Sequence, residues 1–294
     1  MDGIEGPGIP TTELANGLKI PMLGLGTSHQ GGYSHSSVVY ALKECGIRHI
    51  DTAKRYGCES HLKKAISESG VHRGSLWITT KLWPGDYGYE TTKAACLESC
   101  KRLGVDYIDL YLMHWPDGFA QGKTNRELRA ETWQALEELY DEDKETETVH
   151  SIPGVVSLKP CTIAAEYHPF QRPQELVDYC RSHGIVFEGY CPLAKGQALS
   201  HPDIIKKAEK YNCSPSQICI RWSIQNGVVT IPKSTKKERI WENCQVFDFS
   251  LSKEDMIFLN SMKNNKKLIT LNYPLWKEQE SQSEPSIARK VASQ

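Results

Sequence analysis

The feature that most narrows what this chain can fold into is a unit that recurs along it. An amphipathic helix stops at a glycine, and a short apolar strand follows within a few residues. Val38, Val39, Leu42 and Cys45 form a helical stripe, Gly46 ends it, and IRHID follows. Leu97, Cys100 and Leu103 precede Gly104 and then VDYIDLYLMH. Leu176, Val177 and Cys180 precede Gly184 and then IVFEGY. Ile218, Ile220, Trp222 and Ile224 lead to Gly227 and then VVTIP, and a further unit runs through Gly70 to SLWITTK. Glycine takes the left-handed conformation that closes a helix without a Cβ clash. Strands that are apolar almost throughout suit a parallel sheet covered by helices. Alternation at this spacing predicts an α/β fold, either doubly wound or a closed barrel.

Length and one missing glycine separate those two. The 294 residues are close to the size of a (β/α)8 TIM barrel, about 250 residues. A dinucleotide-binding doubly wound sheet needs G-x-G-x-x-G after its first strand. Here Gly24, Leu25 and Gly26 are followed by Thr27, Ser28 and His29, so the third glycine is absent. The segment TELANGLKIPML predicts an N-terminal β-hairpin around Asn16 and Gly17, placed as a plug across the barrel floor.

Composition removes other classes. The formal net charge is −1 with both signs mixed, and no basic stripe carries interleaved aromatics, so nucleic acid is not an expected partner. The first residues lack the apolar core of a signal peptide, and no apolar run reaches the ~18 residues of a membrane span. Ten scattered cysteines fit buried thiols of a cytoplasmic protein. Cys96 and Cys100 lie four apart on a predicted helix, but no second Cys or His pair stands at zinc spacing, so no metal is expected.

In a parallel barrel the active site gathers at the C-terminal ends of the strands. Asp51 follows IRHI, Lys81 follows WITT, His114 follows LYLM, Tyr167 with His168 follows TIAAE, Tyr190 follows VFEG, and Lys233 with Ser234 follows TIP. Tyr56 lies five residues beyond Asp51. Singly, each has a plainer reading: a solvated lysine, a packed histidine, a helix-capping aspartate, a surface aromatic. Together at successive strand ends they suit carbonyl reduction. A tyrosine protonates the carbonyl oxygen, and a lysine lowers the phenol's pKa from near 10 by favouring tyrosinate. An aspartate keeps the lysine charged, and a histidine hydrogen-bonds the carbonyl. None of these side chains carries a hydride, so a cofactor is required.

The segments GIRHIDTAKRYGCE, ITTKLW and DLYLMHWP resemble signature segments of the aldo-keto reductase superfamily, in the branch of aldose reductase and the diketogluconate reductases. The resemblance covers residues of about 10–144 and 166–263. It implies that Tyr56 is the general acid, Lys81 and Asp51 its tuning pair, and His114 the carbonyl-orienting residue. It also implies NADPH as cofactor. IPKSTKKERIWENC would supply Lys233, Ser234 and Arg239 to the 2′-phosphate, Glu242 and Asn243 to the adenine, and Thr235 as a further cofactor-binding residue. A Lys/Arg/Ser cluster beside a helix N-terminus is a sound phosphate site. Tyr190 would stack on the nicotinamide, and Gly26, Thr27 and Ser28 would border the pyrophosphate or ribose. The partner is then a small-molecule carbonyl substrate, the chain a monomer, and residues 1–294 a single barrel domain with a disordered tail over 277–294.

One stretch departs from the pattern. From His114 to Glu166 is 52 residues, where the family places two βα units. The span 145–165 lacks a readable strand–helix pair, because only LKPC separates GVVSL from TIAAEYH, whereas a parallel crossover needs about a dozen residues. The barrel is therefore expected to be incomplete there. A G-V-S-N-F-like segment, whose Ser and Asn hold the nicotinamide carboxamide in the family, is not found, and Ala164 stands where the family usually has a Gln. The alternative to a working reductase is thus an impaired variant, or a relative that binds nicotinamide nucleotide or a partner without turnover.

Overall fold

Residues 8–28, 31–119, 122–145, 161–262 and 267–269 are described in a computed structural model. The chain opens with β1 (Thr11–Glu13) and β2 (Lys19–Pro21), an antiparallel pair in which Thr11 faces Pro21. The expected hairpin is thus present, its turn closed by Gly17 N–H on the Leu14 carbonyl at 2.9 Å. Leu14 and Ile20 pack with Met22 against Trp77, Leu110 and Val229. Those three residues begin strands of the main sheet, so the hairpin caps the N-terminal end of the strands, as the floor position requires.

The main wall is parallel. Its strands are β3 (Leu25–Gly26), β4 (His49–Asp51), β5 (Trp77–Leu82), β6 (Leu110–Met113), β7 (Thr162–Glu166), β8 (Val186–Tyr190) and β9 (Val229–Ile231). One ladder joins β3, β4, β5 and β6, and a second joins β7, β8 and β9. A parallel bridge from Leu23 to Thr230 links the two, reinforced by Gly24 N–H on Thr230 O and Gly26 N–H on Pro232 O. The order β7-β8-β9-β3-β4-β5-β6 is that of a barrel wall. Among the described residues no ladder joins β6 to β7. Residues 146–160, which hold most of the stretch expected to lack a βα unit, lie outside the described residues, as do the tail residues 277–294.

Helices cover the outside: α1 (His35–Lys43), α2 (Glu59–Ser69), α3 (Tyr89–Leu103), α4 (Asn125–Glu145), α5 (Gln174–Ser182), α6 (Pro202–Tyr211), α7 (Pro215–Gln225), α8 (Lys237–Cys244) and α9 (Lys253–Ser261). The five glycines expected to stop helices, Gly46, Gly70, Gly104, Gly184 and Gly227, all have φ between +66° and +76°. Helix α7 starts with a legible capping box, Ser214 and Gln217 bonding each other's backbone N–H, with Pro215 in the first turn. Leu42, Ile50, Leu62, Ile78, Leu82 and Leu103 pack between wall and helices in the first half. Val177, Phe187, Ala208, Ile218 and Trp222 do so in the second.

Candidate active site

Strand side chains alternate between faces. Ile50, Ile78, Leu82 and Phe187 face the helices, so His49 and Asp51, Thr79 and Lys81, and Glu188 and Tyr190 face the interior. They form two layers, with His49, Thr79 and Glu188 below and Asp51, Lys81 and Tyr190 at the strands' C-terminal ends. Lys81 donates to the Asp51 carboxylate and to the Thr52 carbonyl, the latter at 2.9 Å. Both partners are buried, Lys81 at 6% and Asp51 at 2% exposure.

Tyr56 reaches this pair from a single 3-10 turn, Lys54–Tyr56, directly after β4. Gly57, at φ +71°, then turns the chain toward α2. The ion pair of Lys54 with Asp86, 2.5 Å, pins the turn to the loop after β5. Lys81 hydrogen-bonds the Tyr56 hydroxyl, and its Nζ lies 5.2 Å from the ring centroid. The His114 ring stands edge-on to Tyr56, centroids 5.6 Å apart, and edge-on to Trp83 at 5.9 Å. Its other neighbour is Trp115, stacked at 5.7 Å. Asp51, Lys81 and His114 from strand ends and Tyr56 from the loop after β4 are therefore together at one mouth.

Their electrostatics differ in one respect from expectation. Burial draws Lys81 down, but Asp51, Tyr56 and Glu188 outweigh it and hold the ammonium above the usual lysine range. Lys81 thus stays charged. Burial pushes the Tyr56 phenol up, against the opposing pull of Lys81 and with Asp51 adding to the rise. The expected net lowering is not observed. The physical reason is that Asp51 cancels much of the lysine's field at the phenol, leaving desolvation dominant.

A cavity of about 1430 Å³ runs from these residues down along β6 and β7, where Leu110, Leu112, Cys161 and Ile163 line it. Part of that volume lies along β6 and β7, so the whole exceeds the 300–1,000 Å³ typical of a drug-sized ligand. Gly26, Ser28, Asp51, Tyr56, Lys81, His114, Tyr190, Lys233 and Arg239 line it. Thr27 is buried instead, its hydroxyl on the Asp51 carbonyl at 3.0 Å. Thr235 offers its carbonyl to Ser37 Oγ, tying the loop to α1, and Ser234 Oγ accepts from Lys236 N–H. Glu242 accepts from the Ser214 and Ser216 hydroxyls at the start of α7, and Asn243 is buried. Of the expected cofactor set, then, Thr27, Ser234, Thr235, Glu242 and Asn243 are not among the cavity's lining residues.

A nicotinamide dinucleotide fits the phosphate end of this cavity. A Cβ on Gly26 would meet the Ile231 carbonyl at 3.0 Å, so glycine lets β3 lie close against β9 at this end of the cavity. Lys233 and Arg239 flank the N-terminus of α8, whose cap residue Lys236 makes no side-chain capping bond. Anions are favoured at such an end. At the other end Ala164 lines the cavity without a hydrogen-bonding group.

Several residues went unnoticed in the strand-end reading. His49 and Glu188 lie two residues before Asp51 and Tyr190, so the period of two already placed them on the interior face. Both are fully buried, 3.7 Å apart, and His49 also bonds Thr79 at 3.1 Å. Neither Glu188 oxygen has a hydrogen-bond partner among the described residues. Burial brings His49 down to about 3, so it is neutral. Burial and Asp51 push Glu188 up to about 8, with Lys81 opposing. The folded state therefore holds a Glu188 proton that the unfolded chain releases near pH 4.5. This contribution to stability is complete below about pH 4.5 and is lost as pH rises through about 8. At about 1.4 kcal/mol per unit, the loss is on the order of a few kcal/mol. Thermal melts from pH 5 to 9 are expected to show wild type losing stability more steeply than Glu188→Gln. Parallel curves would remove Glu188 as the source.

A tyrosine hydroxyl beside a paired lysine, an imidazole facing it, and a cavity that also takes in Lys233 and Arg239 make up this site. Comparison with known proteins gives its class. The chain belongs to the aldo/keto reductase family, whose sequence profile matches residues 22–263. It is 41% identical over 269 residues to glyoxal reductase of Bacillus subtilis, covering 88% of this chain and 94% of that protein. It is 38% identical over 269 residues to 9,11-endoperoxide prostaglandin H2 reductase of Trypanosoma cruzi, covering 87% and 92%. Among solved structures, the Bombyx mori aldo-keto reductase in complex with NADP matches with a TM-score of 0.80 at 29% identity, covering 93% of this chain and 98% of that one. The fold class is the (β/α)8 barrel of that family.

Proposed function

We propose that this chain is an NADPH-dependent reductase of small aldehydes or ketones, with Tyr56 as general acid. The observation that carries the reading is the convergence of Asp51, Tyr56, Lys81 and His114 on one cavity at the strands' C-terminal ends. When bound, NADPH supplies the hydride. Lys233 and Arg239 would hold its 2′-phosphate, with Ser234 and Thr235 in the supporting loop and Glu242 and Asn243 on the helix behind it. Gly26, Thr27 and Ser28 would border the pyrophosphate or ribose, and Tyr190 would stack on the nicotinamide. His114 donates a hydrogen bond to the substrate carbonyl oxygen and fixes its position. As negative charge builds on that oxygen, the Tyr56 hydroxyl gives it a proton. The charged Lys81 stabilises the tyrosinate left behind, and Asp51 keeps Lys81 in place and charged. Residues 1–294 act as a single domain, as a monomer in the cytoplasm. Free thiols at all ten cysteines are consistent with that compartment.

A second reading rests on Ala164. With an apolar methyl where a carboxamide partner is usual, and the Ser–Asn segment not found, as many as three bonds to the nicotinamide are in question. At about 0.5–1.5 kcal/mol each, that is a 10²–10³-fold effect on cofactor positioning or rate. The chain would then bind nucleotide without turnover. Fluorescence titration with NADPH and NADH, followed by assay on a reactive aldehyde, separates the two. NADPH is expected to bind at least about tenfold tighter than NADH, and Arg239→Ala to remove most of that preference, since hydrogen bonds to charged groups are worth ~1.5–3 kcal/mol. Tight binding with no reduction of any aldehyde favours the second reading.

A further inference from the structure

The charges lining the cavity are unequal. Its acidic lining residues are Asp51 and Glu166, and both are engaged. Asp51 is paired with Lys81. Glu166 accepts from Leu268 N–H and Ile269 N–H, each at 2.8 Å, and from His168 at 2.8 Å. Against them stand more lining cations, most of them also accounted for. Lys233 and Arg239 lie at the phosphate end. Arg129 pairs with Asp117 at 2.8 Å, and Lys195 donates to the Leu268 carbonyl at 2.9 Å. The lining cations that remain are Lys267 and Arg55, the latter on the turn that carries Tyr56.

Arg55 immediately precedes Tyr56 on the 3-10 turn and is exposed. Its guanidinium lies over the Trp83 ring, 5.5 Å from the centroid. Trp83 in turn touches His114 edge-on. The acid nearest in this loop pair, Asp86, is taken by Lys54. Among the described residues Arg55 makes no ion pair or hydrogen bond. A guanidinium resting on an aromatic face keeps its edge N–H donors free, and that edge matches a carboxylate in a two-point contact. A cavity with surplus positive charge and low-dielectric walls also concentrates anions.

We propose that Arg55 anchors a carboxylate carried by the substrate, so that the preferred substrates are small oxo acids: aldehydes or ketones that bear a carboxylate. The proposal rests on Tyr56 and His114 receiving the carbonyl. One aromatic ring separates the anchor from that position, which suits a short chain between carbonyl and carboxylate.

The test compares 4-oxobutanoate with its methyl ester, an aldehyde of the same chain without the charge. With NADPH saturating, wild type is expected to show kcat/KM at least tenfold higher for the acid, mainly through KM, with the preference shrinking as ionic strength rises. In Arg55→Met, which keeps an unbranched stem over Trp83, the acid-to-ester ratio is expected to fall at least tenfold. Arg55→Lys should retain part of it, because the charge remains and the fork does not. Equal use of acid and ester by wild type, or a ratio that survives in Arg55→Met, overturns the anchor and leaves carbonyl reduction standing. Reduction of neither compound overturns both.

Discussion

Tyr56→Phe is expected to lower kcat/KM for a reactive aldehyde by about 10²–10⁴-fold, the range a positioned general acid supplies. The change is small in every other respect. The ring stays, with its edge contact to His114 and its place over Lys81. Only the hydroxyl goes, and burying a phenyl ring in its place carries no polar penalty. NADPH affinity should stay within about twofold, so the loss belongs to chemistry and not to binding. Steady-state kinetics with a fluorescence titration of NADPH measure both. Activity within tenfold of wild type would mean that another group gives the proton, and Tyr56 would lose its role.

The second large effect concerns Lys81. Lys81→Met leaves the Asp51 carboxylate buried without its cation, and breaking such a pair costs about 3–5 kcal/mol. Turnover should fall at least as far as in Tyr56→Phe, because nothing then stabilises tyrosinate in a pocket that already pushes the phenol up. The double variant Asp51→Leu/Lys81→Met separates the two losses. With both charges gone the core regains most of the lost stability, measured by urea unfolding, while activity stays lost. A double variant no more stable than Lys81→Met alone would show that the pair's geometry, not its charge, holds this region.

Lys81 was readable from a strand end and Tyr56 from the loop after another, and much of the architecture was equally legible. Gly46, Gly70, Gly104, Gly184 and Gly227 mark helix ends because a left-handed φ is a local demand that few residues meet. The hairpin at Asn16 and Gly17 and the capping box at Ser214 are local for the same reason. Asp51, Lys81 and His114 were found because a strand's C-terminal end is visible in sequence and a parallel barrel gathers such ends at one face.

What could not be read depends on partners distant along the chain. Glu242 belongs to a segment that resembles an adenine site, yet its carboxylate serves two serines that start another helix. Nothing in the sequence singles out Arg55, and only the fold lays Trp83 beneath it. Glu166 marked only a strand end, whereas its carboxylate holds residues 268 and 269 against the cavity.

The sequence by itself determined the repeating helix–glycine–strand unit, which follows from local conformation, and its resemblance to a family pointed to the barrel and to the four polar residues at its mouth. The tertiary structure alone decided how those residues are tuned. It set Glu188 and His49 beneath Asp51 and Lys81, and it raised the Tyr56 phenol where a nearby lysine alone would lower it. A pKa in a barrel interior is a balance between desolvation and the fields of several strands at once, and only folding brings those strands within reach of one another.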